Sequence, residues 1–259
     1  MSVHKVLVLT DTHVSNHGSL VKGKDNYVLL RRTLDKAEHD HPDAECMVIS
    51  GDLVHWGGPG EYAAFRECLE NRPWPVHLML GNHDNRQKFC EAFANHPRTH
   101  SGHIQQSIDV GNWRLVLLDS HDETFTAPVH SGILCAQRMN WLRKQLDEAA
   151  EKNVVVFIHH PPMRTFFDGM DDIGLRNSTE LLELLNSYGN VRQIISGHIH
   201  RTISGVTSGL PITVLKSTSH QSPLALGNSS TDLNNDEPPA FGIVLLHDGG
   251  VTIHTEDVL

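Results

Sequence analysis

Cys46-Met-Val-Ile-Ser-Gly-Asp52 is a run of five residues suited to a buried strand, closed by a glycine and followed at once by a carboxylate. It lacks the polar alternation of a half-solvated strand and reads as a strand of a parallel sheet covered on both faces. The pattern recurs. Val6-Leu-Val-Leu-Thr10 leads into Asp11 and His13, Val76-His-Leu-Met-Leu80 into Asn82, Val154-Val-Val-Phe-Ile158 into His159, and Val191-Arg-Gln-Ile-Ile-Ser196 into His198 and His200. In an open α/β sheet ligands bind outside the carboxyl ends of the strands, so these blocks can converge on one small volume.

Between the strand-like runs lie helix-like ones, the alternation that produces crossover units. Residues 26–39 read as a helix capped by Asp25, with Val28, Leu29, Leu34 and Ala37 at roughly helical spacing. Residues 59–70 form a second helix with Pro59 near its start, 87–95 a third and 178–188 another. The clearest is 136–152, where Met139, Leu142, Leu146 and Ala149 make a core-facing stripe. Residues 107–110 and 114–120 suggest a hairpin turning at Gly111-Asn112. After the last ligand block the short β-like runs 202–206, 211–217, 241–247 and 251–255 have no helices between them and suggest a second sheet packed on the first. Residues 219–240, rich in Ser, Asn, Asp and Pro, read as a long loop or cap segment. No linker divides the blocks, so residues 1–259 are expected to form a single domain.

A formal charge of -10 argues against a nucleic-acid polymer as partner, because phosphate neutralisation depends on clustered Lys and Arg. Cys46, Cys68, Cys90 and Cys135 show no CxxC spacing and read as small buried apolar residues. Met1-Ser-Val-His-Lys5 leads directly into a strand with no sign of a signal peptide, and no apolar run approaches the ~18 residues of a spanning helix. The expectation is a soluble, cytoplasmic protein with no membrane partner.

Asp11-Thr-His13 places a carboxylate and an imidazole two residues apart, so both can face one cation. Gly51-Asp52 adds a carboxylate after a glycine that lets backbones approach closely. Gly81-Asn-His-Asp84 is hard to explain as core packing. His159-His-Pro-Pro162 ends its strand sharply, and Gly197-His-Ile-His200 puts two imidazoles on one turn.

In that order the five blocks resemble the calcineurin-like metallophosphoesterases, over residues 5–200 and with no block missing. The resemblance implies an α/β fold, a four-layer α/β/β/α sandwich of two mixed sheets flanked by helices, holding two metal ions. Asp11, His13, Asp52 and His200 match the first site, and Asp52, Asn82, His159 and His198 the second, with Asp52 shared. The size and the phrases Ser50-Gly-Asp-Leu53, Leu175-Arg-Asn177 and Ser217-Thr-Ser-His-Gln221 are similar to bacterial class III cyclic nucleotide phosphodiesterases and glycerophosphodiester phosphodiesterases. The expected activity is hydrolysis of a small phosphodiester by a metal-activated water or hydroxide. The alternatives are a phosphomonoesterase on the same core, or a non-catalytic scaffold, which usually goes with lost ligands. Two divalent or mixed-valence ions are implied, with iron or manganese first and zinc or cobalt also compatible with N/O ligands. A homo-oligomer is left open.

His83 has no place among the seven ligands and is expected to contact the phosphate or protonate the leaving alkoxide. Asp84 would orient it or cap the next helix. Asn82, His83, Arg176, Asn177 and His220 are the candidate substrate contacts. His160 and Asp119 read first as a packed histidine and a turn carboxylate, and otherwise as supports behind the ligands. Phe166, Phe167 and Met170 form an apolar cluster that would line a leaving-group pocket or an oligomer contact.

Overall fold

The computed structural model describes residues 2–124 and 129–259; Met1 lies outside them. In chain order the elements are β1 (Val3–Leu9), α1 (Asn26–Asp40), β2 (Cys46–Ser50), α2 (Pro59–Leu69), β3 (Val76–Met79), α3 (Arg86–Ala92), β4 (Gln106–Val110), β5 (Trp113–Leu118), α4 (Ala136–Glu148), β6 (Asn153–Ile158), α5 (Asp168–Asp172), α6 (Ser178–Asn186), β7 (Val191–Ser196), β8 (Ile203–Thr207), β9 (Leu210–Val214), β10 (Ala240–His247) and β11 (Gly250–Asp257).

They form two mixed sheets, ordered β11-β10-β1-β2-β3 and β4-β5-β6-β7-β9-β8. β1, β2 and β3 run parallel, as do β5, β6, β7 and β9. The four C-terminal strands do not make a sheet of their own, contrary to the expectation from their helix-free spacing. β10 runs antiparallel along β1, from Val3 opposite His247 to Val8 opposite Gly242, and β9 lies parallel to β7. Each satisfies the backbone edge of a strand already in place, which spacing along the chain does not reveal.

Three apolar layers separate four structural ones. Val6, Val8, Val48, Leu115, Leu117, Val155, Phe157 and Ile195 pack between the sheets. The alternate residues Leu7, Leu9, Met47 and Ile49 face α1, α2 and α3, while Val116, Val154, Val156 and Ile158 face α4 and α6. Both faces of the central strands are therefore dry, as their unbroken apolar runs imply.

Asp25 caps α1 by accepting from the Val28 N–H at 3.2 Å. The buried face of that helix is Leu30, Thr33, Leu34 and Ala37, whereas Val28 is exposed. Leu30, Leu34 and Ala37 share one side at helical spacing, and Val28 falls on the other. The α4 stripe of Met139, Leu142, Leu146 and Ala149 is buried as expected. All four cysteines are free; Cys46 and Cys68 are buried, and Cys90 and Cys135 half-buried. Among the described residues no helix is long and apolar enough to cross a membrane.

Candidate metal centre

The loops after β1 and β2 run side by side. Asp11, His13 and Val14 donate their backbone N–H groups to the carbonyls of Gly51, Asp52 and Leu53 at 3.1, 2.9 and 3.1 Å. Asp11, His13, Asp52, His198 and His200 all adopt left-handed backbone, with φ of 52°, 42°, 47°, 71° and 57°. Each such non-glycine residue costs roughly 1–2 kcal/mol, and strain of this kind persists only where the surroundings over-determine it. Here it turns five of the seven expected ligands inward at the strand ends. Gly81 and Gly197 allow the closest approaches: a Cβ on Gly81 would collide with Asp52, and one on Gly197 with Thr10 and Asp11.

The result is a cluster in which ligand atoms of Asp11, His13, Asp52 and His200 all lie within 4.8 Å of one another. Asp11 Oδ1 is 3.2 Å from His200 Nε2, and His13 Nε2 is 3.1 Å from His200 Nε2. Asp52 Oδ2 lies 3.5 Å from His13 Nε2 and 3.3 Å from His159 Nε2, so this one carboxyl faces both halves of the cluster. The imidazoles point their Nε2 atoms inward and spend Nδ1 outward, His159 on the Ser50 carbonyl and His200 on the His220 carbonyl, each at 2.9 Å.

Burial pushes both carboxyls up, but the imidazoles outweigh it. His159, His83 and His13 hold Asp52 well below the usual carboxylate range, and His200 and His159 hold Asp11 down. Burial pulls the His159 imidazole down, yet Asp52 and Asp11 raise it to about 9. A cation seated between the same carboxylates would displace that proton. Burial, then His159, depresses His198 to about 3, leaving it neutral.

Asn82 Oδ1 and His198 Nε2 are buried with no hydrogen-bond partner among the described residues, and His159 Nε2 faces only the Asp52 and Asp11 carboxylates. Orphaned buried acceptors are rare in folded proteins. These three belong to the expected second site, and with Asp52 they make an N/O donor set suited to a second cation. The residues fit a two-metal centre.

A cavity of about 260 Å³ opens on the cluster. His13, Asp52, Asn82, His83, His198, His200 and His220 line it, with Met170 and Ile173 on an apolar wall and Ser222, Thr231, Asp232 and Leu233 from the 219–240 segment over it. Up to residue 239 that segment contains no helix or strand. Of the expected apolar cluster only Met170 lines the cavity; Phe167 is core and Phe166 is exposed.

Arg176 and Asn177 are not among the lining residues. At the start of α6 they latch the segment before α4: Arg176 pairs with Asp122, and the Asn177 amide donates to the Leu134 carbonyl at 2.9 Å and accepts from its N–H at 3.0 Å. Asp84 neither orients His83 nor caps α3, whose cap is Asn85. It accepts from the backbone N–H groups of Gly81 and Leu53 and from the Tyr62 hydroxyl, bracing two loops. His160 is a packed histidine: it is buried, with Ser120 Oγ at 2.8 Å from Nδ1 and the His130 carbonyl at 3.1 Å from Nε2, and its ring lies against those of His159 and His198 at 5.0 and 4.7 Å. Asp119 is fully buried against Arg86 at 3.0 Å and does not line the cavity.

Sequence reasoning missed His55, His130 and Lys22, which also line the cavity. His83 is stacked between the first two, 5.1 Å from His55 and 5.3 Å from His130. His55 stands three residues after Asp52 in an already suspect loop, a signal that was available; His130 has no such neighbour.

The model of the calcineurin-like phosphoesterase family matches residues 4–202. The chain belongs to that family. It is 34% identical to a probable cyclic nucleotide phosphodiesterase of Rhodopseudomonas palustris over 96% of this chain and 91% of the relative. It is 31% identical to a 3′,5′-cyclic adenosine monophosphate phosphodiesterase of Pseudomonas aeruginosa over 93% and 85%, and 29% identical to a probable glycerophosphodiester phosphodiesterase of Arcobacter nitrofigilis over 96% and 92%. Among solved structures a dimetal phosphatase from Danio rerio superposes with a TM-score of 0.75 at 14% identity, covering 99% of this chain and 96% of that one, a likeness of fold. The four-layer sandwich is thus the calcineurin-like phosphoesterase fold.

Proposed function

We propose that this phosphoesterase is a two-metal phosphodiesterase of small diesters, a 3′,5′-cyclic nucleotide or a glycerophosphodiester. The observation that carries the reading is Asp52 facing both halves of a seven-residue donor cluster whose second half holds two orphaned buried acceptors, Asn82 Oδ1 and His198 Nε2. Asp11, His13, Asp52 and His200 would hold one ion, and Asp52, Asn82, His159 and His198 the other. When bound, such ions supply Lewis acidity toward phosphoryl oxygens and an acidified water as nucleophile.

His83 donates from Nδ1 to the His55 carbonyl at 2.9 Å, which leaves Nε2 for substrate. From there it hydrogen-bonds the phosphoryl group and, as imidazolium, delivers a proton to the leaving oxygen. His220 and the Asn82 amide are the further substrate contacts on the cavity wall; Arg176 and Asn177 keep a structural role in this reading. The relatives' names support the diester class, and the small cavity and net charge of -10 disfavour a polymer. The core shared by the two sheets supports residues 1–259 as one domain.

Metal analysis, with turnover of bis(p-nitrophenyl) phosphate against p-nitrophenyl phosphate, tests the class. Faster diester turnover is expected; preference for the monoester would favour the phosphomonoesterase reading. No bound metal and no turnover after loading with Mn²⁺ or Fe²⁺ would end the enzyme reading. Cyclic AMP, 2′,3′-cyclic nucleotides and glycerophosphodiesters then separate the substrates.

A further inference from the structure

His13 turns Nε2 toward the cluster, 3.1 Å from His200 Nε2 and 3.5 Å from Asp52 Oδ2, so Nε2 is its ligating atom. Its Nδ1 faces away from the cluster. There it meets Nδ1 of His55 at 3.2 Å, where His159 and His200 each meet a backbone carbonyl. We infer that the His55 ring is a positioning residue for the metal centre: it accepts the Nδ1–H of His13 and so fixes the tautomer and orientation of that ligand. The inference rests on the two-metal reading above.

The chemistry follows from proton counting. A neutral imidazole that ligates through Nε2 carries its proton on Nδ1 and must donate it. A hydrogen bond between two facing nitrogens holds one proton, so His55 accepts through an unprotonated Nδ1. Its own proton then resides on Nε2, on a ring that lines the cavity. The backbone holds the ring in place: His55 N–H donates to the Val14 carbonyl at 3.0 Å, beside the bridge that pairs Val14 with Val54. The His55 carbonyl separately accepts from His83, so ring and main chain have different tasks.

That separation makes a side-chain test clean. An asparagine at this position places its Oδ1 where the Nδ1 of histidine was; a glutamine reaches toward the Nε2 position. The full-length chain is stripped by chelation and titrated with Mn²⁺, and metal-free melting is followed in parallel. Wild type is expected to take up two ions. His55→Ala should weaken one of the two binding steps by about 10- to 100-fold, with His55→Asn within a few-fold of wild type and His55→Gln as weak as alanine. Should His55→Ala not fold, the asparagine and glutamine variants decide the matter alone. Wild-type affinity for both ions in His55→Ala, or equal rescue by Gln and Asn, overturns the assignment while leaving the two-metal reading intact. Absence of Mn²⁺ uptake by wild type overturns both.

Discussion

His83 donates its backbone N–H to Oδ1 of Asp52 at 2.8 Å, while Oδ2 of the same carboxyl faces His13 and His159. The residue proposed to act on substrate is thereby fastened to the carboxylate proposed to bridge the ions. One rigid unit sets both the place where phosphate binds and the place from which a proton is delivered, which is the preorganisation that hydrolysis of a stable diester requires.

Asp52→Ala should be the most damaging ligand substitution, because it removes a donor from both sites and the anchor of His83. Metal content should fall for both ions, and kcat should drop by well over the roughly 10- to 100-fold typical of losing a supporting hydrogen bond behind a metal ligand. Elemental analysis of the purified variant is the check; two ions retained at wild-type affinity would contradict the bridging role.

His83→Ala leaves all seven proposed ligands in place and should retain both metals. Its kcat should fall by roughly 10²- to 10⁴-fold on a diester with an alkoxide leaving group. The loss should be much smaller with p-nitrophenolate, which departs without a proton. Equal losses on the two substrates would remove the general-acid role.

At Gly81 the Asp52 main chain and carboxylate occupy the space a Cβ would take. Gly81→Ala must push two ligand loops apart, at about 1–3 kcal/mol of overpacking. Thermal unfolding should show that loss together with reduced metal content, although the substituted residue is no ligand.

Asp119 bears on stability against pH. Burial pushes its carboxyl up, but Arg86, then Arg138, outweigh this and hold it at about 2 against an ordinary 3.8. A folded pKa below the unfolded one stabilises the protein above pH ~4 and ceases to do so as pH falls toward ~2, a contribution of about 2 kcal/mol. Urea unfolding of wild type and Asp119→Asn should therefore show a gap at pH 7 that narrows by about that amount between pH 4 and pH 2. A gap constant across this range would show that the pairing is not the source of the stability.

The legible parts of the centre share one property: each signal is local. Asp11, Asp52, Asn82, His159, His198 and His200 directly follow core strands, and a buried strand announces itself by its apolar run. Likewise the α4 stripe is visible because helical period and burial coincide within one segment. His130 was illegible because its tie to Asn82, at 3.3 Å, spans 48 residues and two loops. Arg176 and Asn177 were expected to reach the cavity, yet Arg176 pairs with Asp122 and the Asn177 amide with the Leu134 backbone, in the segment before α4. Reach along the chain does not say which neighbour a side chain will choose.

The amino-acid sequence by itself determined which residues end the core strands, and therefore the candidate donors and the α/β class, because apolar periodicity and strand-end chemistry are written in consecutive residues. The tertiary structure alone decided that β10 joins β1 and β9 joins β7, that five donors take left-handed backbone, and that His55 stands behind His13. Those outcomes depend on backbone edges and ring nitrogens satisfying one another across long sequence separations. A one-dimensional pattern records that such a group must be satisfied, and only packing chooses its partner.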